Sequence, residues 1–179
     1  YGKAYNFTGG SINYIEIPEN PSLELENINF TIISWISLNP PITFAGIRHI
    51  IGKGNLLELA PPVGYGLLIY YSNPNTFFQF GTDVAKITGV GGFSANKWTH
   101  ITGTQNIKDG MTTTKFYLNG VINKTGTQAY MATSSTGYNL FIASAESSET
   151  VTKAIIDEVM IFNRTLSDNE ISGLYNLDL

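Results

Sequence analysis

Paired carboxylates are the usual machinery for cleaving a glycosidic bond, and they must flank it roughly 5 to 9.5 Å apart. Two pairs stand close in this sequence. Glu24 and Glu26 fall at i,i+2, so a strand would place them on one face, but a loop or edge position is the expectation. Asp157 and Glu158 are adjacent on a predicted strand, which turns them to opposite faces. Neither pair reads as an acid/base couple. His49 and His100 are too few for a histidine metal site, and no G-x-S-x-G elbow is present. With no cysteine, disulfides, Cys-ligated metals and Cys nucleophiles are excluded.

Sugar recognition needs different chemistry, an aromatic ring for the apolar C–H face and fixed amides or carboxylates for the hydroxyls. The segment 65–80 supplies the types: Tyr65, Tyr70, Tyr71, Phe77, Phe78 and Phe80, with Asn73, Asn75 and Gln79. Tyr70 and Phe78 are expected on one face of a hairpin, while the adjacent Tyr70 and Tyr71 must split between faces. The ligand set read here is Tyr70, Tyr71, Asn73, Asn75 and Phe78. Tyr130 and Tyr138, around Ser134–Gly137, form a second possible rim. Four N-x-[ST] triplets occur, at Asn6, Asn29, Asn123 and Asn163. Asn29 opens a predicted central strand, which leaves Asn6, Asn123 and Asn163 as the glycosylation candidates.

These residues belong to a chain of 179 residues with a net charge of -4 and only 13% charged residues. Its 17 Asn, 19 Thr and 13 Ser make uncharged amides and hydroxyls the main source of solubility. The apolar share of 42% is too high for disorder. Ten scattered basic residues give no concentrated basic face for nucleic acid. No apolar run reaches 18 residues, so no transmembrane segment is read. One domain over 1–179 is the natural size, and such a core can hold without disulfides. The sequence starts at Tyr1 rather than Met, which reads as an excised domain of a larger protein or a processed chain.

Short strands position the candidates. Phe30–Leu38 carries apolar groups on both faces and predicts a central strand. Further strands are predicted at Ala4–Phe7, Asn13–Ile17, His49–Lys53, Gly66–Tyr71, Thr76–Gly81, Asp83–Thr88, Lys97–Gln105, Thr112–Leu118, Val121–Thr125, Leu140–Ser144 and Ala154–Phe162. Asn119-Gly120 predicts a two-residue hairpin turn. In the last strand Ile155, Asp157, Val159 and Ile161 are expected on one face. Ser167 and Glu170 fit a capping box ahead of a short helix with Ile171, Leu174 and Tyr175 at its spacing. A dozen strands and one helix predict an all-β, two-sheet antiparallel sandwich.

Several segments, in order, carry a resemblance. They are Tyr5–Gly10, Asn13–Pro18, Ser22-Leu23 with Phe30–Ile36, Ile51–Lys53, Trp98–Thr104, Phe116–Gly120 and Ile156–Ser167. Together they resemble laminin G-like domains of the concanavalin A-like, pentraxin-related superfamily. The resemblance implies a jelly roll, often with a structural Ca²⁺, and functions from carbohydrate binding to adhesion. Hydrolases of this fold present E-x-D-x-E-type strands, a spacing absent here. The family's acidic first loop is replaced by Gly9–Asn13, which leaves Asn13, Asp157 and Glu158 as metal candidates. The expectation is therefore a non-catalytic, extracellular or cell-surface module that binds a glycan or a surface protein. Protein–protein adhesion or a spacer role is the alternative, and a glycoside hydrolase-related domain a weaker one.

Overall fold

In Phe30–Leu38 (β3), Phe30, Ile32, Ile36 and Leu38 face one way, and Ile33 and Trp35 the other; all are buried. A strand buried on both sides needs a layer on each. The computed structural model, which describes residues 3–9, 13–39, 46–54, 63–72, 75–89, 91, 94–144 and 152–177, supplies a second sheet on one side and a helix on the other.

The remaining strands are β1 (Tyr5–Phe7), β2 (Ile15–Ile17), β4 (Gly46–Lys53), β5 (Tyr65–Ser72), β6 (Asn75–Thr82), β7 (Lys86–Gly89), β8 (Thr99–Lys108), β9 (Met111–Leu118), β10 (Val121–Ala129), β11 (Leu140–Ile142) and β12 (Ala154–Phe162). They form two six-stranded sheets, β1-β12-β3-β8-β9-β10 and β2-β11-β4-β5-β6-β7, with every pairing antiparallel. The core lies between them: Ile32, Ile36, Ile101 and Phe116 from the first sheet meet Ile51, Leu67, Ile69, Phe78 and Phe80 from the second. Phe80 lies over Gly103, where an added Cβ would come within 1.9 Å of the ring.

The helix α1 (Asp168–Leu177) covers the outer face of the first sheet, packing Ile171 and Leu174 on Ile33, Tyr117, Met160 and Phe162. Tyr175 stacks on Trp35 at 5.7 Å. The predicted capping box is present: Glu170 N–H donates to Ser167 Oγ (3.3 Å), and Ser167 N–H to Glu170 Oε2 (2.8 Å).

The structure departs from the sequence reading in β12, in β10 and in the strand predicted at Asp83–Thr88, which runs over Lys86–Gly89. The alternation predicted through Ala154–Phe162 breaks at a bulge between Asp157 and Met160, with Glu158 at φ 49°. One extra residue flips the parity. Ala154 and Ile156 face the core before the bulge, and Val159 and Ile161 pack on it afterwards. β10 also runs on to Ala129, because its polar residues sit on an exposed edge strand where apolar alternation is not required. Asn119-Gly120 forms its turn with φ 49° and 76°, and Asp109-Gly110 forms another with φ 51° and 72°.

Candidate functional site

Register decides which aromatics share a surface. Tyr70 pairs with Phe77, and Ile69 with Phe78. Ile69 belongs to the core, so Phe78 does too: it is 1% exposed and stacks on Phe116 of the opposite sheet at 5.2 Å. The expectation that Tyr70 and Phe78 share a face is thus corrected; the partner is Phe77. The Tyr70 and Phe77 rings lie 6.3 Å apart at 28° on the outer face of the second sheet, both partly exposed. Tyr65 and Phe80 are core. Tyr71 and Asn75 lie on the paired strands β5 and β6, while Asn73 falls outside the described residues.

The next row across the same face is His49, Leu68, Gln79 and Thr88. Gln79 Nε2 donates to Thr88 Oγ1 at 3.1 Å, and its buried Oε1 accepts from no described residue. His49 is 1% exposed, and neither ring nitrogen has a partner among the described residues. Burial, then the charges of Lys86 and Arg48, push its pKa down to about 3. Two offset rings beside an amide and a hydroxyl can stack on the apolar face of a sugar and bond its hydroxyls.

The second rim is built on a buried charge cluster that the sequence did not announce. Lys53, fully buried, donates to Glu24 Oε1 (2.6 Å), Ser135 O (2.8 Å) and Ser135 Oγ (3.0 Å). Ser135 Oγ in turn donates to Glu26, and Thr136 Oγ1 to Glu24 Oε2 (3.1 Å). Burial raises the Glu26 pKa, against the Ser135 hydrogen bond. Both carboxylates are therefore held by the protein. Above them Tyr130 OH donates to Asn27 Oδ1 at 3.1 Å, and Tyr138 N–H to Ser135 O at 3.0 Å.

The metal candidates do not converge. Asn13 Oδ1 accepts from Thr8 N–H at 2.9 Å, past the Phe7 end of β1. Asp157 lies beyond the Tyr5 end, and its Oδ1 accepts from Glu158 N–H at 2.9 Å. Among the described residues no three acidic, His or Cys side chains gather as a metal site would require. The glycosylation candidates are spread out: Asn6 on β1, Asn123 on β10, and Asn163 exposed between β12 and α1.

Residues 9–172 match a family model described as the concanavalin A-like lectin/glucanases superfamily. The chain belongs to that superfamily. Comparison with curated proteins gives no match. Among solved structures, this lectin/glucanase-superfamily chain is similar to domain 4 of AbnA, a GH43 extracellular arabinanase from Geobacillus stearothermophilus, in complex with arabinotriose. The TM-score is 0.66 at 17% identity, over 97% of this chain and 77% of that one. It is also similar to the ligand binding domain of botulinum neurotoxin serotype D in complex with N-acetylneuraminic acid, with TM-score 0.66 at 19% identity, over 97% and 41% of the two chains. The binding domain of Paraclostridial Mosquitocidal Protein 1 gives 0.65 at 17%, over 98% and 43%. The superfamily chain thus spans about two-fifths of these toxin domains, and the likeness is one of fold.

Proposed function

We propose that this chain is a non-catalytic recognition module of a larger secreted or surface protein, and that it binds carbohydrate on the outer face of its second sheet. The observation that carries this reading is the partly exposed Tyr70–Phe77 stack beside the Gln79–Thr88 hydrogen bond. Glu24 and Glu26, the carboxylates that a strand would place on one face, are tied up by Lys53, Ser135 and Thr136. Two similar structures, arabinanase domain 4 and the toxin ligand binding domain, are complexes with sugars, and the arabinanase is extracellular.

A glycan array tests the reading, followed by titration of the best glycan against Tyr70→Ala and Phe77→Ala. Each variant is expected to weaken binding about ten-fold, the loss of a stacking contact. An array without any bound glycan, with retained binding to a protein surface, replaces this reading by protein–protein adhesion. A structural Ca²⁺ enters the proposal only at the Asp157–Glu158 bulge, where backbone carbonyls would have to supply most ligands. Melting at a higher temperature in millimolar Ca²⁺ than in chelator is the expected sign; equal melting removes the ion from the proposal.

A further inference from the structure

A second concavity lies on the opposite sheet. A cleft of about 620 Å³ opens on the outer face of the first sheet, between β8–β9 and the segment leading into α1. Its floor is set by strand parity and register: Thr104 is opposite Lys115, and Asn106 opposite Thr113, so all four side chains point outward together. Its wall contributes Thr165, Ser167 and Asp168. The volume is that of a small-molecule cleft, roughly 300–1,000 Å³.

Most polar groups lining this cleft already have protein partners, which leaves one Asp168 oxygen and the Asn106 amide open to a ligand. Lys115 Nζ (3.0 Å) and Tyr117 OH (2.7 Å) both donate to Asp168 Oδ1, while Oδ2 accepts from no described residue. The Asn106 amide has no described side-chain hydrogen bond, whereas the Thr113 hydroxyl bonds Thr127 at 3.2 Å and the buried Thr104 hydroxyl bonds Tyr117. A fixed carboxylate with one open oxygen beside an amide able to give and accept suits a ligand that presents adjacent hydroxyl groups. The lining charges are Lys115 against Asp168 and Glu170, which disfavours an anion.

We propose that this cleft is a second binding site, for a neutral saccharide, which makes the domain two-faced: stacking on one sheet, hydrogen bonding on the other. It shares only the ligand class with the proposed function and uses none of the same residues. The test is amide NMR titration of the whole chain with millimolar arabinotriose, maltotriose and cellotriose, and with N-acetylneuraminic acid. Saturable shifts are expected at Thr104, Asn106, Thr113, Lys115 and Asp168 with at least one neutral trisaccharide. Asn106→Ala and Asp168→Asn should each weaken these shifts about ten-fold, the loss of a hydrogen bond to a charged or fixed group. Phe77→Ala should leave them unchanged. Shifts confined to the Tyr70–Phe77 face would overturn the second site and keep the first. Shifts at the cleft alone would do the reverse. The absence of shifts at the cleft with all three neutral sugars, or tighter binding there of the anionic sugar, overturns the proposal.

Discussion

Lys53 illustrates what a single residue contributes and why its role is hidden in the sequence. Its partners Glu24 and Ser135 are 29 and 82 residues away, so no local spacing brings them together. Read in sequence, Lys53 only ends a strand; folded, it neutralises a buried acidic cluster. Lys53→Met should destabilise the domain by about 3–5 kcal/mol in urea titration, because a carboxylate pair loses its buried counter-charge. Adding Glu26→Gln should restore part of that loss; no recovery would mean the Met side chain itself disrupts packing. His49 gives a pH signature. Its folded pKa lies below the ordinary value of 6.5, so stability is complete above about pH 6.5 and declines as the pH falls from there toward 3. His49→Leu should remove that decline just below pH 6.5. Glu26 and Asp83 are raised by burial and act with the opposite sign, losing stability as pH rises above the usual carboxylate value, so they cannot imitate it. A decline that persists in His49→Leu would assign it to another group. Phe77 and Phe78 show the same limit on sequence reading. Their types were evident, but which of the two faces outward depends on the pairing with β5 and on packing against Phe116 of the opposite sheet.

At the scale of elements, the sequence was most legible where structure is local. The Asn119-Gly120 turn and the Ser167–Glu170 capping box depend on a few adjacent residues, and both formed as expected. Ser167→Ala should cost about 1 kcal/mol and lower the melting temperature. Because α1 covers Ile33, Tyr117 and Met160, that loss would also loosen the outer wall of the first sheet. The β12 bulge was not legible, since its cue is a mismatch with β3 rather than a turn residue: Asp157 pairs with Trp35, and pairing resumes at Met160 with Ile33. Gly103 marks a third kind of limit. In sequence it is a glycine that weakens a strand. In the fold it is where Phe80 crosses from the other sheet. Gly103→Ala should therefore destabilise by about 1–3 kcal/mol through overpacking, despite alanine's better strand preference. An unchanged urea midpoint would show that the sheets can separate without cost there.

At the scale of the whole molecule, the earliest strands are held at the sheet edges by the latest ones. β1 pairs with β12, and β2 with β11, so the first two strands belong to different sheets and each completes an edge with a late partner. Composition and alternation predicted two sheets, but this division is set by long-range pairing and is not written in any local segment. It has a kinetic consequence. A sandwich closed by its terminal strands must pay for long loops before those contacts form, so refolding should take milliseconds to seconds. It has a thermodynamic one as well. Phe7 is 4% exposed and fills the core beside Ile156, so β1 is part of the fold rather than an appendage. Deleting residues 1–7 should cost about 3–5 kcal/mol, comparable to emptying a large aromatic site, and should open the β12 edge to association. In the intact chain, far-UV and near-UV circular dichroism should follow a single coincident urea transition. A separate early transition lost on deleting β1 would instead show that the terminal strands fold onto a preformed sandwich. The two proposed ligand faces would then sit on a core that is complete without β1.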